Sequence, residues 1–366
     1  MPVTNTDLIL TPAPASTTYR LELEPAQNGL ESLLLLNWVD EMSGYDEWVT
    51  KTAVSLPPEL RHTNRLVTLG LHYAVMPRRS WSSFPAFVDH LAAQPPELLR
   101  DRIFDAYNHL PCTPPAADFD MTAVLATVGS FLDYLYSRFP PENIDVQIES
   151  EAYEYLKNPP AMQTLIVNHL RQMWQQVLQP EWEAKRPLLQ ACVDAFRQVD
   201  LSGLTPAEVV QRVTGKELPE HLQQSIEAHE ITQVTFVPSA HIGPYLGKIS
   251  HESMLWLVFG ARQPEGLSLG IPDLSRSDLL VRLAALSDDT RLRILHHLSH
   301  NGEKCAQEII QELDLSQSAA SRHLKQLSAN GYLSERRREG GKCYSANVDR
   351  IEDTFHALLN FLQDRG

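Results

Sequence analysis

Several residues carry donor atoms at spacings that could do chemistry. His296, His297 and His300 lie three and four apart in "LHHLSH", separations at which two imidazoles on one helix face can share a metal ion. Cys305 stands in Cys305-Ala306-Gln307, one sulfur short of the Cys-x-Cys pair whose converging thiolates suit a soft ion. Asp353 and His356 are three apart near the C-terminus, with no second histidine to complete a site. His251 opens "HESML", which lacks the second histidine of H-E-x-x-H. No G-x-S-x-G, Walker loop or G-x-G-x-x-G occurs. The expectation is no catalytic residue, no metal site and no cofactor. The histidine trio reads as a solvated helix face and Cys305 as a small buried side chain.

A different chemistry is written in "LSQSAASRHLKQLSANGYLSERRREGG", Leu315 to Gly341. Ser316 suits a helix N-cap and Gly331 a helix end. Between them Ala320, Leu324 and Leu327 share one face, which leaves Gln317, Ser318, Ser321, Arg322 and Lys325 elsewhere. A preceding short helix in "EKCAQEIIQELD" and a turn of about three residues give helix-turn-helix spacing. "YLSERRREGGKCYSAN" then reads as two strands around a Glu-Gly-Gly tip. Arg336, Arg337, Arg338 and Lys342 crowd that hairpin. A helix followed by a basic hairpin is a winged helix, with the helix in a DNA major groove and the wing along phosphates. His323, within the helix, suits packing or hydrogen bonding better than a base contact.

The elements that must position these residues divide the chain in two. All 25 prolines lie at or before Pro272 and all six tryptophans at or before Trp256. The formal charge of −15 belongs to the first 274 residues, because 13 Lys+Arg balance 13 Asp+Glu from Ser275 onward. An acidic body with a locally basic face resists loose coating of DNA and favours one docking orientation. The junction falls near "GLSLGIPDLSRS". Residues 1–18 read as a flexible tail without a secretory signal, residues 19–270 as one domain and residues 275–366 as another. In the first, "GLESLLLLNWVDEM", "MTAVLATVGSFLDYLYSRF", "QTLIVNHLRQMWQQVL" and "PLLQACVDAFRQV" have helical periodicity, punctuated by Pro-Pro pairs. Strands are limited to "YRLELE", "TQVTFVPS" and "SMLWLVFGA". The fold class is α+β, mainly α: a helical N-terminal domain with a small sheet, then a winged helix-turn-helix. The last helix places Ile351, Phe355, Leu358, Leu359 and Leu362 on one stripe, wide enough to want a partner helix. No run of about 18 apolar residues suggests a membrane span. The four scattered cysteines point to a reducing cytoplasm without a disulfide framework.

"LAALSDDTRLRILHHL", "CAQEI", "LSQSAASRHLKQLSANGYL" and "RREGGKCYSAN" together resemble the winged-helix domain of ArsR-type transcriptional regulators, over Asp278 to Leu362. That resemblance implies a homodimeric repressor whose operator affinity responds to a signal. "VTFVPSAHIGPYLGKIS" resembles an uncharacterised region found ahead of such domains in bacterial regulators, which assigns no activity. The broken ligand sets at Cys305 and at Asp353/His356 depart from the family's metal sites. They move the expected signal, a small-molecule or protein effector, to the N-terminal domain. The reading is a cytoplasmic regulator with Gln317, Ser318, Ser321 and Arg322 at base edges or nearby phosphates. Lys325, Arg337, Arg338 and Lys342 would lie on phosphates. Its partners are operator DNA and a second copy of the chain. Two other classes stay open. An enzyme tethered to DNA would need a pocket of titratable groups in residues 19–270. A protein-interaction scaffold would leave the wing arginines dispensable for DNA.

Overall fold

The structure is a computed structural model that describes residues 17–39, 45–109, 119–243, 245–262, 264, 276–338 and 341–363. The junction expected at 266–275 and the tail before Thr17 lie outside the described residues. The chain is α+β and mainly α, with a helical N-terminal region around a small sheet and a C-terminal winged helix-turn-helix.

Proline sets where many N-terminal helices begin. Strand β1 (Thr18–Leu21) is followed by α1 (Pro25–Leu35), α2 (Glu47–Ser55), α3 (Pro58–Arg65), α4 (His72–Val75), α5 (Phe84–Ala93) and α6 (Pro96–Asn108). Then come α7 (Met121–Val124), α8 (Val128–Arg138), α9 (Val146–Leu156), α10 (Pro159–Met173), α11 (Gln179–Phe196), α12 (Pro206–Thr214) and α13 (Glu220–Glu227). Pro25, Pro58, Pro96, Pro159 and Pro206 each occupy a first helical position, where the missing amide costs nothing and the fixed φ is already helical. Two π-helical turns, Leu66–Gly70 and Trp174–Leu178, interrupt the regular winding after α3 and α10.

The sheet holds four strands in the order β1-β2-β4-β3, from β2 (Gln233–Ser239), β3 (Leu246–His251) and β4 (Met254–Gly260). Strands β1, β2 and β4 run parallel and β3 antiparallel to β4. The two central strands are apolar on both faces, as parallel strands covered on both sides must be. Val237, Trp256 and Val258 point into the larger core with α1, α5, α6, α9 and α10. Val234, Phe236, Leu255, Leu257 and Phe259 point the other way, against Cys192 and Phe196 of α11 and the valines of α12. The sheet therefore divides two cores. Strand β3 falls outside the expected strands, since "LGKISH" has little β-propensity; pairing with β4 makes it a strand.

The C-terminal region runs α14 (Arg276–Leu286), α15 (Asp289–Asn301), β5 (Lys304–Cys305), α16 (Ala306–Leu313), α17 (Gln317–Ala329), β6 (Leu333–Arg338), β7 (Gly341–Ala346) and α18 (Val348–Gln363). Asp288 caps α15 by accepting from the Arg291 amide at 2.9 Å, and Gly302 ends it at φ 72°. Ile294, Leu298, Ile309, Leu324, Leu327 and Tyr332 build its own core. Arg291 is buried inside that region. Its guanidinium donates to the carbonyls of Ala284 and Ala285 and to Gln326 Oε1 at 2.9 Å. One side chain thus ties α14 and α15 to α17.

Candidate nucleic-acid interface

The three-residue turn between α16 and α17 is fixed locally. Asp314 leaves α16 in the left-handed region at φ 54°. Ser316 Oγ then accepts from the Ala319 amide at 3.2 Å and starts α17, a cap worth about 1 kcal/mol. Ala320, Leu324 and Leu327 are buried, so the helix must turn Gln317, Ser318, Ser321, Arg322 and Lys325 outward. All five are exposed. Neither Arg322 nor Lys325 has a carboxylate partner among the described residues, so both cations are available to an anion. His323 is half-buried, its Nδ1 3.6 Å from Asp288 Oδ1. Burial holds its imidazole below the ordinary range, which fits a packing role.

The wing is an antiparallel hairpin in which Arg336 faces Cys343, Arg337 faces Lys342 and Arg338 faces Gly341. Lys342 is exposed but already paired, its Nζ 2.8 Å from Glu335 Oε2. A phosphate there would compete with that carboxylate. The side chains of Arg337 and Arg338 lie outside the described residues.

The cysteines correct the sequence reading. Cys305 is not a solitary buried side chain, and the expectation of cysteines without a disulfide does not hold. It lies opposite Cys343 in the β5–β7 ladder, and the two are joined as a disulfide. The pair links the start of α16 to the second wing strand. Thirty-eight residues separate the two in sequence, so no local spacing announced it; only the strand register brings them together.

The histidine trio does not converge on one ion. His297 Nε2 meets Glu312 Oε2 at 2.6 Å and Lys304 holds the other oxygen of that carboxylate at 2.9 Å. The His296 and His300 rings lie together at 4.2 Å, with the His300 Nδ1 against the His296 carbonyl at 2.8 Å. The side chains of Asp353 and His356 lie outside the described residues. Among the described residues, one trio elsewhere could group around a cation: Asp46, Glu181 and His241. The Lys185 ammonium already sits 3.7 Å from both Asp46 and Glu181. His241 Nε2 is 3.2 Å from Glu181, and Trp48 stacks on its ring at 4.3 Å. These contacts form a polar network tying α2 and α11 to the end of β2.

On α18 the apolar stripe splits. Ile351 packs against the domain's own core and Leu358 is half-buried. Phe355, Leu359 and Leu362 are 50, 51 and 68% exposed. Their spacing of four and three puts them on one outward face.

Comparison with known proteins places this region. Residues 288–335 match the family "Bacterial regulatory protein, arsR family". The chain is 45% identical over 53 residues to the Arsenic resistance transcriptional regulator ArsR1 of Pseudomonas putida, 14% of this chain and 41% of that one. It is 41% identical over 75 residues to ArsR2 of the same species, 20% of this chain and 64% of that one. The chain thus spans less than two thirds of the length of these curated relatives. A homodimeric winged helix-turn-helix DNA-binding domain from Mycobacterium bovis is 23% identical, covering 24% of this chain and 83% of that one with a TM-score of 0.20. The family match does not extend to the N-terminal region. The C-terminal region of this chain folds as a winged helix-turn-helix and, over residues 288–335, matches the bacterial arsR family.

Proposed function

We propose that this protein is a cytoplasmic, DNA-binding transcriptional regulator. It acts as a homodimer, as a repressor rather than an activator, and takes its signal through the N-terminal domain. One observation carries the reading: α17, at helix-turn-helix spacing, presents Gln317, Ser318, Ser321, Arg322 and Lys325 together on a solvent face, with both cations free of acid partners among the described residues. Exposed amide, hydroxyl and guanidinium groups on one helix face are what base edges and phosphates accept. Lys325, Arg337, Arg338 and Lys342 supply phosphate contacts. The arsR-family match is consistent with this, since the matched relatives are named as transcriptional regulators. The exposed Phe355, Leu359 and Leu362 face supports pairing of two chains, which would present two recognition helices to a palindromic site. Among the described residues no helix is long and apolar enough to cross a membrane.

Footprinting tests the reading. The purified full-length protein, titrated on the DNA upstream of its own coding region, should protect two half-sites about 10 bp apart or a multiple of one turn. Uniform protection of any DNA at the same concentration, or none at all, defeats it.

A further inference from the structure

The N-terminal domain holds a partly open cavity of about 170 Å3 between α1, the π-turn at Leu66–Gly70, α4 and β3. A cavity of roughly 150 Å3 accepts one benzene ring. Most of the wall is apolar: Leu30, Leu34, Val75, Met76, Pro77 and Ile249. Into it project Gln27, Glu31 and His72, and these three groups share one property.

Gln27 is 1% exposed. Its amide nitrogen donates to the Pro77 carbonyl at 3.3 Å, while its Oε1 has no partner. The His72 Nδ1 lies 3.1 Å from the Thr68 carbonyl, which can only accept. That contact puts the proton on Nδ1 and leaves Nε2 as a lone pair. Thr68 is itself spent, since its hydroxyl donates to the Asn64 carbonyl at 2.7 Å and accepts from Asn37. Glu31 has no hydrogen-bond or ion-pair partner among the described residues. It lies over Gly247, where any added Cβ would come within 3.3 Å of Glu31 Oε1. Lys248, the other charged residue of the wall, is exposed, and the charges that act on its ammonium are those of Lys342, Glu335 and Lys325, not Glu31. When the carboxyl is ionised, the side chains of Gln27, Glu31 and His72 therefore offer the cavity acceptor atoms. A buried acceptor without a donor is costly, so whatever fills the cavity well must bring N–H donors and positive charge on a compact apolar body.

We infer that this cavity is a binding site for a small organic cation, a primary ammonium carried on one ring or its equivalent, with Glu31 as counter-ion and Gln27 Oε1 and His72 Nε2 as further acceptors. The inference deepens the sensor reading given above, and rests on it only for the consequence to DNA. Burial pushes the Glu31 carboxyl up to about 7 and holds His72 below its ordinary range. Both shifts describe charges that lack compensation. An ammonium would restore the carboxylate and leave the imidazole neutral.

The test is calorimetric titration of the full-length protein with benzylamine, benzyl alcohol and benzoate at pH 8. Benzylamine should bind at one site per chain and the other two should not. Affinity should fall about tenfold on going to pH 6, as Glu31 gains a proton while the amine keeps its own. Glu31→Gln should weaken benzylamine by about tenfold or more, and Gln27→Leu should weaken it less. Glu31→Gln removes a desolvated charge, so its melting curve should show a fold at least as stable as the parent's at pH 8. Benzoate or benzyl alcohol binding as tightly as benzylamine overturns the inference. So does benzylamine binding that survives Glu31→Gln, or no benzylamine binding by the folded protein. DNA retention, read on the same samples, separates the two claims. Benzylamine that binds without changing DNA affinity supports the cation site and counts against the sensor. DNA binding that is intact in a protein deaf to benzylamine removes the cation site alone.

Discussion

Arg322 and Arg338 stand for the two kinds of contact that the proposed function assigns. Arg322 is on the outward face of α17 without an acid partner among the described residues, and in the proposed function it reads a base; Arg338 is on a wing strand. Arg322→Ala should cost about 1–3 kcal/mol on the specific site and relax sequence preference. Arg338→Ala should weaken every sequence alike and flatten the salt slope by about one unit. Competition binding on specific and random DNA at several salt concentrations separates them, and identical behaviour of the two variants would refute the division. Buried carboxyls give a second residue-scale expectation. Burial, with Asp145 adding, pushes Glu149 up to about 8, and its Oε2 has no partner. An acid whose folded pKa is raised stabilises the fold below its unfolded pKa near 4.5. That stability is lost as pH rises through the folded value. His169, pushed down to about 4 by burial, works the other way and destabilises as pH falls from 6.5 towards 4. The two windows overlap between pH 4.5 and 6.5, where the opposing slopes should leave the melting temperature nearly flat, and it should decline from there towards pH 8. Glu149→Gln should flatten the alkaline decline and change little at pH 5; an unchanged slope in the variant would show that Glu149 does not titrate there.

Helix α18 is where the element scale decides the assembly. A helix that exposes Phe355, Leu359 and Leu362 on one face loses little by solvation of a polar replacement in the monomer and much in a dimer. Phe355→Asp with Leu359→Asp should leave the fold intact by circular dichroism, convert the protein to monomers by light scattering and lower its operator affinity. A wild-type chain that is monomeric yet binds one half-site tightly would contradict the seam. The same scale shows what the sequence could and could not say. Helix α17 was legible because everything that defines it is local: the Ser316 cap, the Ala320/Leu324/Leu327 stripe and the glycine that ends it at φ 76°. The wing was legible through its basic strands. Strand β3 was not, because Gly247, Lys248 and Ser250 become a strand only through their neighbour β4. The Cys305–Cys343 bond was hidden for the same reason. Glu31 did leave a trace: it shares the apolar face of α1 with Gln27, Leu34 and Leu35, where period alone calls for another leucine.

Across the whole molecule, the region proposed to sense and the region proposed to read DNA touch. The Lys216 ammonium, beyond α12, donates to the Ala329 carbonyl at the C-terminal end of α17, where the helix dipole favours a cation. A change in the N-terminal domain therefore has a direct contact with the recognition helix and could bias the spacing of the two helices in a dimer. The competing route is a soft metal at the cysteines. Two sulfurs, not one, stand at that position, and in the bonded state neither is a thiolate. Reduction would free both, but the nearby Glu308 is held by the Cys305 amide at 2.7 Å, no group of three ligand atoms forms there among the described residues, and thiolate sites for zinc close at four ligands. DNA release should accordingly stay flat when the reduced protein is titrated with arsenite, zinc or cadmium, and Cys305→Ser should behave as the parent does. Release at micromolar metal that disappears in Cys305→Ser would place the switch on the wing itself, between α16 and β7, and would remove the need for a sensing role in the first 264 residues.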